Sequence, residues 1–125
     1  MYFIAPDHLN FEEKDGMLSA ALSLDSMSEM IEMVGCFPCR ANGKWGLIYF
    51  KMKGCEEAND RLIAACEEAP LLRQLFRAVV HRPEIDIDSM RLFVPGRAAR
   101  FAQIKHKAVL TQISEGCMLL TAEEE

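Results

Sequence analysis

Apolar and polar residues alternate early in the chain, where every second position from Leu18 to Leu24 is apolar. A period of two residues is typical of a β-strand with one buried face. The segment Lys14-Asp15-Gly16 separates this run from an earlier one that contains Leu9 and Phe11. Because glycine accepts positive φ, this segment suits a tight turn, and the pattern predicts a β-hairpin over about residues 8–24.

The spacing then changes to the three-and-four pattern of one helical face, carried by Met27, Met30, Ile31 and Val34. Ser26 and Glu29 have the separation of a capping box, in which each side chain bonds the other residue's backbone amide. Gly35 stands where a left-handed residue would close the helix. These signals predict a short amphipathic helix over residues 26–34.

A second hairpin is predicted around Asn42-Gly43, a strong signal for a two-residue turn. The segment from Trp45 to Met52 is rich in strand-forming residues. From residue 58 to residue 79 the apolar positions keep helical spacing, with Pro70 inside the run. Since proline suits a first helical turn but interrupts a helix interior, this pattern predicts two consecutive helices, or one kinked helix, over about residues 55–81.

The last third of the chain alternates between strand and helix signals. Residues 91–94 resemble a short strand, and Pro95-Gly96 leads into a predicted helix over residues 97–114 with Phe101, Ile104 and Ala108 on its buried face. Gly116 ends that helix, and residues 117–120 are predicted to return as an edge strand.

Together these elements predict the α+β class. We expect an antiparallel sheet built from two β-hairpins plus short additional strands, packed on one face by three to four helices. The chain has 125 residues, of which 50% are hydrophobic, and this is enough for one core. Because no linker or repeat interrupts it, we expect residues 1–125 to form a single compact domain.

Composition also bears on location. No run approaches the roughly 18 apolar residues that cross a bilayer, and the first residues lack a basic segment followed by an apolar stretch. We therefore expect a cytoplasmic protein without a membrane partner. The five cysteines are an odd number in a chain with ample apolar content, so reduced thiols are expected.

Cys36 and Cys39 form the one motif that suggests thiol or metal chemistry. A redox pair normally follows a strand and opens a helix, whereas this pair follows a predicted helix and precedes a hairpin. Zinc needs four ligands, and Cys55 could supply a third thiolate beside these two. A thiol-redox or zinc-binding module is therefore kept as an alternative. The competing interpretation is that these cysteines are small buried hydrophobic residues that need no cofactor.

Acidic residues alternate with isoleucines from Glu84 to Asp88. In a strand, this alternation would place three carboxylates on one face, where they could bind a divalent cation. A solvated face on an edge strand is the simpler interpretation, because acids there also discourage pairing with another sheet.

Charge is segregated along the chain. The net charge is −5, yet residues 73–107 contain eight Lys or Arg and only three acids. On the predicted helix after Gly96, the spacing brings Arg97, Arg100 and Lys107 close to one face, where they could contact an anion or a partner protein. This makes a nucleic-acid or phosphate-ligand binder a second alternative. A pI of about 5.2 and the lack of interleaved aromatic residues argue against direct nucleic-acid binding.

Enzymatic chemistry has little support in the sequence. No nucleophile elbow or phosphate-binding glycine loop is present, and the three histidines have no signature neighbours. The sequence therefore favours a non-enzymatic protein-binding module, acting as a regulator, adaptor or inhibitor. The acidic segments could cover a basic surface of a nucleic-acid-binding protein, and segregated charge also favours a homodimer.

Overall fold

The computed structural model describes residues 4–41, 43–51, 83–114 and 116–123; for residues 37–41 and 114 it describes the backbone. Within these ranges the chain forms nine strands and two short helices. The strands are β1 (Asp7–Asn10), β2 (Glu12–Lys14), β3 (Met17–Ala21), β4 (Gly35–Ala41), β5 (Lys44–Phe50), β6 (Glu84–Asp86), β7 (Arg91–Pro95), β8 (Lys107–Ser114) and β9 (Cys117–Ala122). The helices are α1 (Leu24–Met30) and α2 (Gly96–Phe101).

The strands form two antiparallel sheets. One has five strands in the order β1-β8-β9-β5-β4, and the other has four in the order β2-β3-β7-β6. The prediction of one sheet packed by three to four helices is therefore wrong: the described part of the chain is mostly β-structure with two short helices.

Both sheets share one hydrophobic core. Alternate residues of β3, β7 and β8 face inward, as the pleat requires. The larger sheet contributes Leu9, Leu47, Tyr49, Ala108, Leu110, Met118 and Leu120, and the smaller sheet contributes Leu18, Ala20, Leu92 and Val94. Helix α1 adds Met27 and Met30, both buried.

The first hairpin is confirmed, but its first strand is divided between the sheets. Strands β2 and β3 pair across Asp15 and Gly16, both of which have positive φ. Strand β1 belongs instead to the five-stranded sheet and pairs with β8. The buried Phe11 lies between β1 and β2, and its backbone N–H donates to the carbonyl of His106 over 2.6 Å.

The N-cap of helix α1 lies three residues earlier than the sequence predicts. Ser23 is the N-cap, and its hydroxyl accepts from the backbone N–H of Ser26 over 3.2 Å. The Asp7 carboxylate accepts from the backbone N–H of Ser23 over 2.8 Å, which joins β1 to the start of the helix. The predicted capping box at Ser26 is therefore wrong. Gly35 does not close the helix but opens β4, where an added Cβ would overlap the ring of Phe50.

The predicted helix over residues 97–114 is also wrong. Helix α2 ends at Phe101, and Gln103 adopts φ +59. The N–H of Ile104 donates to the carbonyl of Ala99 and that of Gln103 to the carbonyl of Arg100. This is a Schellman motif, with glutamine at the position that usually holds glycine. The chain then continues as β8.

The second hairpin is confirmed, since β4 and β5 pair antiparallel with Ala41 opposite Lys44. The short strand at residues 91–94 is confirmed as β7. The C-terminal strand is confirmed as β9, but it lies inside the larger sheet, between β8 and β5, and not at an edge.

The predicted helices over residues 55–81 lie outside the described residues. Neither α1 nor α2 is long and apolar enough to cross a membrane.

Candidate docking site

Strand β6 lies at one edge of the four-stranded sheet. It pairs with β7, with Ile85 opposite Leu92. Ile85 lines a concave surface on each side of the strand. We call these surfaces the apolar groove and the Phe93 cleft.

The apolar groove has a volume of about 360 Å³ and lies between the end of α1 and strand β6. It is lined by Met30, Ile31, Glu32, Met33, Val34, Pro83, Ile85 and Ile87. Met30 and Met33 are buried and form part of the core, whereas Ile31 is 53% exposed and Ile87 is 69% exposed. Single exposed apolar residues are common, whereas Ile31 and Ile87 line one groove and form a small exposed apolar patch.

The end of α1 is held in place by an ion-pair cluster. Lys51, which follows β5, lies 3.4 Å from a carboxylate oxygen of Glu29 and 2.5 Å from one of Glu32. The hydrogen bond to Glu32 raises the pKa of Lys51 above its usual value, against the lowering effect of partial burial. The backbone N–H of Val34 also donates to the carbonyl of Phe50. One wall of the groove is thus fixed to the larger sheet.

The Phe93 cleft lies on the outer face of the four-stranded sheet and has a volume of about 610 Å³. Its lining residues are Lys14, Asp15, Met17, Ser19, Glu84, Ile85, Asp86 and Phe93. Phe93 is half-buried and pairs with Ser19 on one side and with Glu84 on the other. Three acids and one base line this cleft, so its charge is negative.

The carboxylates at this edge have no basic partner among the described residues. Arg91 lies opposite Asp86 in the strand register, but its guanidinium turns away toward β3. There it donates to the hydroxyl and carbonyl oxygens of Ser19 over 3.1 and 3.0 Å and approaches Glu12 at 3.6 Å. Glu84 and Asp86 therefore present negative charge to the solvent.

The acidic alternation forms only part of the face that the sequence suggests. Glu84 and Asp86 lie in β6, whereas Asp88 lies in the turn that follows. The Asp86 carboxylate accepts from the Asp88 backbone N–H over 3.1 Å and from the Ser89 hydroxyl over 2.8 Å, so it orders this turn. Within the described ranges, no three His, Cys, Asp or Glu side chains group to hold a metal ion.

Cys36 and Cys39 both lie in β4, where Cys36 pairs with Tyr49 and Cys39 pairs with Gly46. Three residues of extended strand separate their Cα atoms by about 10 Å, whereas a disulfide needs less than about 7 Å. The chain does not turn at this motif, as a shared metal or disulfide would require. Cys55 lies outside the described residues, so the three-cysteine metal site stays a prediction.

The Cys36 thiol is buried in the core. Burial raises its pKa to about 12, although the hydrogen bond with the Tyr49 hydroxyl acts in the opposite direction. Burial also raises the pKa of Tyr49 well above its usual value. Since the thiolate is the reactive form, this raised pKa disfavours a nucleophilic role for Cys36.

The three basic residues singled out in the sequence do not share a helix. Arg97 and Arg100 are exposed on α2, but Lys107 begins β8 and pairs with Asn10. Lys107 therefore does not lie on the helical face predicted for all three. Their role as an anion or partner contact stays a prediction.

The sequence did not predict the groove. It placed Ile85 and Ile87 on one face, opposite the acids, but it assigned Ile31 to the buried stripe of a longer helix. Helix α1 ends at Met30, so Ile31 follows the last helical turn and is exposed. Comparison of the chain with protein-family models, with curated proteins and with solved structures found no match.

Proposed function

We propose that this chain is a non-enzymatic protein-binding module whose docking surface is the apolar groove. The supporting observation is that Ile31 and Ile87 are exposed in a groove whose other side chains are mostly apolar. The carboxylates of Glu84 and Asp86 line the neighbouring Phe93 cleft, which shares Ile85 with the groove, and add negative charge beside it. Charge complementarity therefore selects a partner segment that combines apolar side chains with Lys or Arg.

This proposal makes the module a regulator, adaptor or inhibitor that covers a basic segment of its partner. The affinity of such an interaction falls as salt screens the carboxylates of Glu84 and Asp86. The cytoplasmic location, the lack of enzymatic activity and the homodimer stay predictions. The thiol-redox or zinc-binding module centred on Cys36 and Cys39 and the nucleic-acid or phosphate-ligand binder also stay predictions.

A binding experiment with a defined peptide tests the proposal. The probe is a fluorescent octapeptide in which valine alternates with lysine, titrated with the full chain at low salt. We expect Ile31→Ser and Ile87→Ser each to weaken binding by about tenfold, since each removes an apolar side chain from the contact. A peptide with glutamate in place of lysine is expected not to bind.

Leu24→Ser is the matched control, because Leu24 is 75% exposed but does not line the groove. We expect it to leave the affinity unchanged. Equal losses for all three variants, or none, would contradict the groove as the docking surface. A dimer in sedimentation that Ile87→Ser dissociates would also overturn the proposal, because a second copy would then be the occupant.

A further inference from the structure

Strand β6 has the position and the surroundings of an edge that accepts an added strand. It pairs with β7 on one side, and no other described strand pairs with it. An edge strand directs alternate backbone N–H and C=O groups away from the sheet, where an extended peptide can bond to them. The residues Glu84, Asp86 and Ile87 at this edge are exposed.

The two concave surfaces match the two faces of an added strand. Side chains of a strand point alternately to opposite faces of its sheet. A strand beside β6 would direct one set toward the apolar groove and the other toward Glu84 and Asp86 at the Phe93 cleft. Ile85 lines both surfaces and marks the strand between them.

The charges at this edge favour a basic partner over a second copy of the chain. Pairing β6 with another β6 would bring Glu84 and Asp86 opposite like charges, which is destabilising in a sheet. Lys or Arg at those cross-strand positions would be stabilising instead. Half-buried Phe93 adds an aromatic side chain beside the same positions, where a cation is also favoured.

Local structure keeps β6 ordered before any partner binds. The Asp86 carboxylate holds the following turn, and the N–H of Met90 donates to the carbonyl of Ile87 over 3.3 Å. Pro83, which has no backbone N–H, immediately precedes the strand and limits the pairing to a few residues. A short, ordered edge loses little conformational entropy on binding.

We propose that β6 binds its partner by β-strand addition, pairing with an extended segment in which apolar residues alternate with Lys or Arg. This inference rests on the proposed function of the groove and specifies how the partner is held. Backbone hydrogen bonds provide the pairing, the groove takes the apolar side chains, and Glu84 and Asp86 take the basic ones.

Backbone methylation of the same valine–lysine octapeptide tests this binding mode. Two versions carry N-methyl groups on either all valines or all lysines. In strand addition the amides of only one set face β6, so we expect one version to lose at least about tenfold in affinity and the other to bind like the parent. Equal binding by both versions would overturn strand addition.

Charge reversal provides a second measurement. We expect Glu84→Lys to lower the affinity for the parent peptide by at least about threefold, because a cross-strand ion pair is lost. Glu13→Lys is the control, since Glu13 is equally an exposed acid on an edge strand, but at the opposite edge of the same sheet. If the two reversals lower the affinity equally, the net charge of the chain explains the loss, and pairing at β6 is contradicted.

The two proposals fail in different ways. Suppose that Ile87→Ser lowers the affinity for the parent peptide, but both methylated versions bind as tightly as the parent. The groove then binds the peptide without strand addition, and only the further inference falls. If the serine variants leave the affinity unchanged, the proposed function falls as well.

Discussion

Three serines at the start of α1 have different roles that depend on their positions relative to the helix end. Ser23 caps the helix, whereas the hydroxyl of Ser26 is buried without a hydrogen-bond partner within the described part of the chain. Ser28 is exposed. Side chains of one chemical type therefore contribute differently to stability within six residues.

Alanine substitutions separate these roles. We expect Ser23→Ala to lower the free energy of unfolding by about 1 kcal/mol, because a backbone donor loses its cap. Ser26→Ala should be neutral or stabilising by up to about 1 kcal/mol, since it removes an unsatisfied buried hydroxyl. Ser28→Ala is the control and should change little. Urea unfolding measures all three, and a larger loss at Ser26 than at Ser23 would restore the capping box that the sequence suggests.

The buried thiol of Cys36 makes the stability of the fold depend on pH in the alkaline range. An unfolded thiol ionises near pH 9, whereas burial in the core holds the pKa of Cys36 at about 12. Between these values the unfolded chain binds fewer protons than the folded one, so stability falls as pH rises, by about 1.4 kcal/mol per pH unit for this group.

The variant Cys36→Ala lacks this dependence. We expect it to be less stable than the parent at pH 7, because it loses the contact with Tyr49 and leaves a small cavity. That deficit should shrink as pH rises above 9. Urea unfolding from pH 7 to pH 11 measures the difference, and a deficit independent of pH would contradict the buried, neutral thiol.

Helix α2 stops at a residue that carries no obvious stop signal. Gln103 adopts a left-handed conformation without being glycine, and two backbone hydrogen bonds close the helix around it. The buried side chains of Ala99 and Ile104 flank this end. The tertiary structure therefore imposes a conformation that glutamine disfavours.

Glycine at this position should relieve the strain. We expect Gln103→Gly to raise the free energy of unfolding by about 0.5 to 1 kcal/mol, because glycine adopts positive φ without a steric penalty. Gln103→Ala is the control and should give no such gain, since alanine keeps the Cβ. Thermal unfolding of both variants provides the comparison, and a loss of stability with glycine would argue against the left-handed helix end.

Gln103 also explains why the sequence predicts a helix over residues 97–114 that the structure does not contain. Without a glycine or proline after Phe101, helical spacing could be extended through to Ile104 and Ala108. The β-branched residues Val109, Thr111 and Ile113 recur at every second position and are the signal that favoured a strand. The pairings of β2 with β3 and of β4 with β5 are predictable because a glycine lies between the strands of each pair. Alternation supports the first pairing, and strand-forming residues support the second.

At the scale of the whole molecule, local patterns do not reveal which sheet a strand joins. The alternation before the first turn continues through Phe11, so it gives no sign that β1 and β2 belong to different sheets. The groove depends on this same level of organisation, since it combines the end of α1 with a strand more than fifty residues later. Sequence identified the acids and isoleucines near β6 but could not place Ile31 beside them.

Because the chain passes from one sheet to the other at Phe11, residues 7–14 supply an edge strand to both sheets. Strand β1 covers β8 at one sheet's edge, and β2 covers β3 at the edge of the other. Cleavage after Lys14 followed by loss of the fragment that carries β1 and β2 would leave β8 and β3 unpaired on one side at the same time. Each unpaired edge can pair with a strand of another molecule, and one molecule would have two such edges. A single proteolytic cut near Lys14 is therefore expected to favour polymerisation of the remaining chain.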